Sequence, residues 1–420
     1  MDHFNYRNGQ LYAEDVSVAE IAESVGTPFY VYSTATLVRH FQLFDDALKG
    51  MDHCICYAMK AASNQAILKT LGNLGAGMDV VSGGEYRRAI SAGIPPEKVV
   101  FSGVGKTLEE ITLALQNGIR QFNVESDSEL EQISSIASSM DKIAPIAIRI
   151  NPDVDAQTHE KIATGKAENK FGIPLSRARE VYSKASQLPG ISIMGIDLHI
   201  GSQLTELEPF KKAYQKLADL THILRQDGHK IKRLDLGGGL GIPYEKNKSA
   251  PPLPAEYGKM VSEVLGHLDC EIEIEPGRLI VGNAGILVSS ILGVKNGSNR
   301  NFLILDAAMN DLIRPAMYDA YHDIIPVKQT NSPEAVYDVV GPVCETGDTF
   351  AKKRKMPELS ESDLVAFRSA GAYGAVMSSE YNTRPLIPEV MVNKNEFSII
   401  RKRPSYEEII DRDIIPDWLE

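Results

Sequence analysis

Residues 53–64 read HCICYAMKAASN. The run Cys54–Met59 is apolar and short, as a buried strand requires, and it stops on Lys60. Ala61, Ala62, Ser63 and Asn64 are small or polar, and Gln65–Leu71 resumes in helical periodicity. A lysine at the C-terminal tip of a buried strand has two options. It snorkels to solvent, or its amine sits in a pocket where burial makes it a nucleophile.

The same rhythm repeats outward from this stretch. From about Ser33, amphipathic helices such as 108–117, 126–139, 175–187 and 208–226 alternate with short apolar runs. The runs are CICYAM (54–59), GMDVV (77–81), VVFSG (99–103), FNV (122–124), IAIRI (146–150), MGIDLHI (194–200), RLDLGGG (233–239) and EIEIEPG (271–277). Strand–helix alternation of this kind predicts an α/β fold, a (β/α)8 barrel over 31–280, with its site where the strands end. Those ends are Lys60, Asp79, Ser102, Glu125, Asn151, His199, Gly237–Gly239 and Glu275, nearly all polar or glycine.

After about Ile280 the pattern changes. Runs 287–294, 301–306, 334–340, 363–367 and 396–401 read as strands separated by turns, which predicts an all-β domain over 281–420. Strand-like pieces at 10–12 and 29–32, with a helical patch at 18–24, form no unit of their own. Residues 1–30 are therefore expected to pair with the β-domain, leaving the barrel inserted in a discontinuous smaller domain.

The 420 residues carry a net charge of −12 and a pI near 5.4, which argues against nucleic acid or an anionic membrane as partner. No run is long and apolar enough to span a membrane, and the start resembles no signal peptide, so a cytoplasmic location is expected. Cys54, Cys56, Cys270 and Cys344 form no C-x-x-C pair; Cys54 and Cys56, on one face of one strand, read as small core residues, and no metal is expected.

Three motifs carry chemistry. GGGLG (237–241) follows the seventh strand, where a barrel commonly holds phosphate on backbone N–H groups. EPGR (275–278) ends the eighth, and Glu271, Glu273 and Glu275 share one side of that strand by its period of two. Such a strand needs a polar cavity, and a carboxylate at its tip can keep a pyridine nitrogen protonated. His199, in HIGSQ (199–203), has a ring suited to stacking on a cofactor, and Ser202 is placed to donate to a phosphate. An amine, a phosphate cradle and a pyridinium partner are the fixtures that pyridoxal 5'-phosphate needs.

YAMKAASN, DVVSGGE (79–85), HIGSQ, DLGGGLGIPY (235–244), EPGR and GPVCETGD (341–348) resemble the fold-type III pyridoxal-phosphate decarboxylases. NPDVDAQTHEKIATGKAENKFGI (151–173), MNDLIRPAMYDAYH (309–322) and GAYGAVMSSEYNTRP (371–385) are similar to the diaminopimelate-decarboxylating branch. The resemblance implies that Lys60 links to the cofactor, His199 stacks on it and Glu275 pairs with its ring nitrogen. It assigns the phosphate to Ser202, Gly237, Gly238, Gly239, Gly277, Arg278 and Tyr373. Arg278, Arg314, Tyr318, Glu345 and Tyr373 would then hold the substrate, meso-diaminopimelate, and Cys344 would donate a proton. In the family Cys344 and Glu345 come from a partner subunit, so a homodimer with shared active sites is implied. The charged, glycine-bearing stretch 151–173 reads as a loop that closes over the site. The competing expectations are an ornithine- or arginine-type decarboxylase, an alanine-racemase-like enzyme and a non-catalytic homologue.

Overall fold

The computed structural model describes residues 2–155, 165, 169–245 and 250–419. The chain divides into two compact units, one of 1–37, 244–247 and 281–420, the other of 38–243 and 248–280.

The first unit begins with a three-stranded antiparallel meander, β1 (Phe4–Arg7), β2 (Gln10–Ala13) and β3 (Val16–Ser17). Asn8 and Gly9 both adopt positive φ, +50° and +77°, the tight Asn-Gly hairpin turn that sets this register. β4 (Phe29–Ser33) is buried at every position and runs antiparallel to one neighbour and parallel to another in a larger sheet described below.

The second unit is a closed barrel. Its strands are β5 (His53–Ala58), β6 (Gly77–Val80), β7 (Val99–Phe101), β8 (Gln121–Val124), β9 (Ala144–Asn151), β11 (Ile191–Asp197), β12 (Arg233–Asp235) and β13 (Glu271–Ile274). All pairings round the ring are parallel, and β13 returns to β5 with Glu273 opposite Cys54. A two-residue strand, β10 (Ile173–Pro174), lies beside β9 off the ring. The expected eight strands are all present. They are shorter at their C-terminal ends than the apolar runs suggest, because His199, Gly237 and Glu275 turn out of the ladder to make the rim.

The barrel interior is polar, which explains the alternating glutamates. Gln121 Nε2 donates to Glu273 and to Asn123 Oδ1, Arg233 Nη1 donates to Gln121 Oε1, and Asn123 Nδ2 donates to Asp235 Oδ2. Arg120 pairs with both Glu271 and Glu273. Burying these groups is tolerable because each finds partners within the network.

In the first unit, β14 (Gly285–Asn296), β15 (Asn301–Leu305), β16 (Ile324–Pro326), β17 (Glu334–Val340), β18 (Thr349–Pro357), β19 (Leu364–Phe367), β20 (Glu389–Asn393) and β21 (Glu396–Arg401) complete the β-sheet. Its main path runs β18-β17-β15-β14-β4-β20-β21, while β19 bridges β14 and β16. β14 changes partner along its length, with a register shift between Ile291 and Gly293. The core beneath packs Phe4, Leu11, Ile21, Phe29, Ile286, Val288 and Val390.

Candidate active site

In the barrel, Lys60 sits on a single 3-10 turn, Met59–Ala61, immediately past β5. Asn64 ends the connection by capping the next helix, its side chain accepting from the Ala66 N–H at 3.0 Å. Lys60 Nζ lies 2.7 Å from Asp79 Oδ2 at the tip of β6. The ammonium side chain is about two-fifths exposed while the Asp79 side chain is fully buried. The amine therefore faces an opening, and its counter-ion lies behind it.

Glu275, just past β13, is buried, and its Oε1 accepts from Ser102 Oγ at 3.2 Å and Asn123 Nδ2 at 3.3 Å. Burial, with Asp79 and Asp197 adding like charge, drives its pKa well above the usual carboxylate value, against the pull of Lys60. Burial likewise raises Asp197 to about 7, with Arg149 opposing. Asp235 shifts in the same direction, from burial first and Glu275 next. Burial thus favours the protonated form of these carboxyls, and a cation brought beside them would favour the ionised form.

The glycine loop stands beside these groups. The Gly237 N–H donates to Asp235 Oδ1 at 3.0 Å, and the Glu275 N–H donates back to the Gly237 carbonyl at 2.8 Å. A Cβ at Gly238 would lie 2.3 Å from the Glu275 carbonyl oxygen, so no other residue fits. The Gly238 N–H donates to His199 Nδ1 at 3.1 Å, which leaves the proton of the neutral ring on Nε2. Desolvation first, then the charges of Arg149 and Lys60, holds the His199 pKa well below its ordinary value, so the ring is neutral at pH 7. Arg278 Nη2 donates to Ser202 Oγ at 3.0 Å, and Gly277 packs against Ala58 and Ala61 on either side of the Lys60 turn. Lys60, His199, Ser202, Gly237–Gly239, Glu275, Gly277 and Arg278 thus lie at the C-terminal ends of the strands of one barrel.

The β-sheet unit carries the remaining candidates in three places. Arg314 and Tyr318 begin and end one short helix, Arg314–Tyr318. Arg314 is buried, its guanidinium 5.0 Å over the Tyr244 ring and Nη1 3.0 Å from His322 Nε2. His322 Nδ1 donates to the Arg368 carbonyl at 3.0 Å, so Nε2 is the acceptor that Arg314 uses. Cys344 and Glu345 lie exposed on the turn between β17 and β18. Buried Asp348 shapes this turn by accepting from the backbone N–H groups of Met309 and Val343, each at 2.7 Å. The Tyr381 hydroxyl donates to Glu345 at 3.1 Å. Tyr373 follows β19 with φ +56°, an unusual backbone for a tyrosine.

The sequence reading did not pick out Asn123, Asp235, Tyr244 or His322 as contributors. Asn123 and Asp235 were legible in principle, as polar residues that share a strand face with Gln121 and Arg233 by the period of two. Tyr244 and His322 carry no local signal, because they matter only through Arg314. The expected closing loop at 151–173 falls largely outside the described residues.

Residues 34–282 match the family model described as "Pyridoxal-dependent decarboxylase, pyridoxal binding domain". The chain is 51% identical to a diaminopimelate decarboxylase of Haemophilus influenzae, over 97% of this chain and 98% of that protein. It superposes on the diaminopimelate decarboxylase of Helicobacter pylori complexed with L-lysine at TM-score 0.90 and 42% identity, covering 94% of this chain and 98% of that one. The diaminopimelate decarboxylase of M. jannaschii in co-complex with L-lysine gives TM-score 0.95 at 36% identity, covering 100% and 99%. This chain belongs to the diaminopimelate decarboxylase family of pyridoxal-dependent decarboxylases.

Proposed function

We propose that the chain binds pyridoxal 5'-phosphate and decarboxylates meso-2,6-diaminopimelate to L-lysine and CO2, the last step of lysine biosynthesis. The observation that carries this reading is Lys60, held at the barrel's C-terminal end by Asp79, in a chain so similar to named diaminopimelate decarboxylases.

The barrel residues fit the cofactor. Gly238 offers backbone where any Cβ would collide, as close approach to a phosphate requires. Glu275 is a buried carboxylate among other carboxylates, and a protonated ring nitrogen is the cation that would hold it ionised. Lys60 would link covalently to the cofactor, Glu275 would hold its ring nitrogen and His199 would stack on its face. Ser202, Gly237, Gly238, Gly239, Gly277, Arg278 and Tyr373 would hold its phosphate. When bound, the cofactor supplies an electron sink for the pair left behind as CO2 departs.

The other steps belong to side chains. Asp79 orients the Lys60 amine. His199, kept neutral by desolvation and by the charges of Arg149 and Lys60, offers a flat face without adding charge. Arg278, Arg314 and Tyr318 bind the distal carboxylate and amine of the substrate, and Glu345 and Tyr373 complete its recognition. The guanidinium forks reward a second carboxylate with charge-assisted, bidentate contacts, so lysine, ornithine and arginine, which lack one, are refused. Cys344 hands its thiol proton to Cα after CO2 leaves.

Cys344 and Glu345 are exposed on their turn, which suits delivery to a second copy, so the working form is a homodimer with shared sites. In this reading 31–280 binds the cofactor, while 1–30 and 281–420 form the part that brings Arg314, Tyr318, Cys344, Glu345 and Tyr373. No helix among the described residues is long and apolar enough to cross a membrane, in keeping with a cytoplasmic enzyme.

The test is a product assay on protein loaded with pyridoxal phosphate. Diaminopimelate, ornithine, arginine and lysine are offered separately while CO2 and the amine are followed. Lysine formed from diaminopimelate alone supports the reading. Turnover of ornithine or arginine instead refutes the account of the distal pocket and leaves the cofactor site standing.

A further inference from the structure

The inward face of β5 carries Cys54 and Cys56 at alternate positions, and β13 places Glu273 opposite Cys54. These strands are the first and last of the barrel, so their pairing closes the ring. The two sulfurs are 3.8 Å apart, and together with a Glu273 oxygen they all lie within 4.8 Å of one another. A tetrahedral ion with metal–sulfur bonds of about 2.3 Å spaces its two sulfurs about 3.8 Å apart, the separation found here. We propose that Cys54, Cys56 and Glu273 bind a soft divalent cation of the Zn2+ or Cd2+ class, with water as the fourth ligand.

The charges balance. Two thiolates and the Glu273 carboxylate contribute −3, and a divalent ion with the Arg120 guanidinium beside Glu273 contributes +3. The neighbouring Arg233 and Glu271 neutralise each other. On binding, two S–H bonds give their protons to solvent and two metal–sulfur bonds form, with no change of oxidation state. Glu273 keeps its oxygen toward Arg120 and turns the other from Gln121 to the ion. Thiolates select this class of ion over Mg2+ or Ca2+. Entry is at Cys54, which is partly exposed near the start of β5.

The site lies far from the chemistry. Four steps of extended strand, roughly 13 Å, carry β5 from Cys54 to Ala58, and the Lys60 turn lies beyond that end. The ion would act as a staple joining residues 54 and 56 to residue 273, the kind of long-range closure in which a cross-link stabilises most in principle. It is a stabilising site, independent of the decarboxylase reading.

The experiment uses the full-length protein loaded with pyridoxal phosphate and stripped with a chelator. It is titrated with Zn2+ by calorimetry and with Cd2+ by the ultraviolet charge-transfer absorption of cadmium thiolate. Expected are one ion per chain, a Tm raised by several degrees with Zn2+, and loss of both in Cys54→Ser/Cys56→Ser with turnover unchanged. Cys270→Ser and Cys344→Ser should retain the Cd2+ signal. Absence of binding, or a signal that survives the double variant or vanishes in Cys344→Ser, overturns the proposal. In the first case the 3.8 Å contact is only a thiol–thiol hydrogen bond.

Discussion

Replacing Gly238 by alanine tests the cofactor cradle more sharply than removing a catalytic side chain, because it adds one methyl group and deletes nothing. The new Cβ would sit 2.3 Å from the Glu275 carbonyl oxygen and 3.2 Å from its carbon, both backbone atoms that cannot rotate away. Ordinary contact requires the two loops to part by roughly 1 Å. That movement stretches the Glu275 N–H bond to Gly237, now 2.8 Å, and the Gly238 N–H bond to His199, now 3.1 Å. Overpacking costs about 1–3 kcal/mol, and each weakened hydrogen bond about 0.5–1.5 kcal/mol. If half of that falls on the geometry that binds the cofactor, affinity drops about 10- to 100-fold. The assay is a titration of cofactor-free protein with pyridoxal phosphate, read by visible absorbance. Gly105→Ala is the control, since nothing lies within 4 Å of a Cβ there. Gly238→Ala with affinity and Tm both equal to those of the control would refute the reasoning that the backbone at 237–239 is the cradle.

Lys60→Ala should bind pyridoxal phosphate without a borohydride-fixable band and lose turnover to background, and fixation in that variant would place the linking amine elsewhere. Arg314→Leu should lower kcat/KM for diaminopimelate about 10- to 100-fold, mainly through KM, by loss of a charge-assisted contact. His322→Gln can still accept from Arg314 and donate to the Arg368 carbonyl, so it should keep near-normal KM, whereas His322→Leu should follow Arg314→Leu. A Leu variant with unchanged KM would remove His322 from substrate positioning. In cofactor-free protein the Asp197 pKa, raised by burial to about 7, makes the folded state hold a proton that the unfolded chain releases. Between about pH 4 and 7 this group's contribution to stability therefore falls as pH rises, by at most about 1.4 kcal/mol per unit. Asp197→Asn should flatten that part of the Tm–pH profile, and an unaltered slope would refute the assignment.

The barrel was legible because each strand carries its own evidence, a short apolar run followed by an amphipathic helix, and eight repetitions leave few alternatives. The β-sheet unit was less so. β18 contains Lys352, Lys353, Arg354 and Lys355, and a run of four basic residues reads as loop until β17 pairs with it. β20 and the three-residue β16 were missed for a similar reason, since their extended conformation comes from partners distant in sequence. The N-terminal strand pieces, expected to pair with the β-domain, take two different places in the first unit. β4 enters the large sheet, but Asn8-Gly9 folds β2 back on β1, and a bridge from Gln10 to Lys328 links that meander to the rest of its unit.

Of the site, residues at strand tips could be read because a barrel dictates where its chemistry stands, whatever the chemistry is. Their electrostatic setting could not. Glu271, Glu273 and Glu275 on one side of β13 show only that the interior is polar. They do not show that Arg120, Gln121 and Arg233 satisfy the lower two while the side chain of Glu275 accepts from the neutral donors Ser102 and Asn123. That gradient decides function. Where a carboxylate meets arginine it is fixed structure, and where it accepts from the neutral donors Ser102 and Asn123, with its pKa raised by burial against the pull of Lys60, a cationic guest would favour its ionised form. A network that neutralised Glu275 with a resident arginine would have no reason to bind a protonated ring nitrogen.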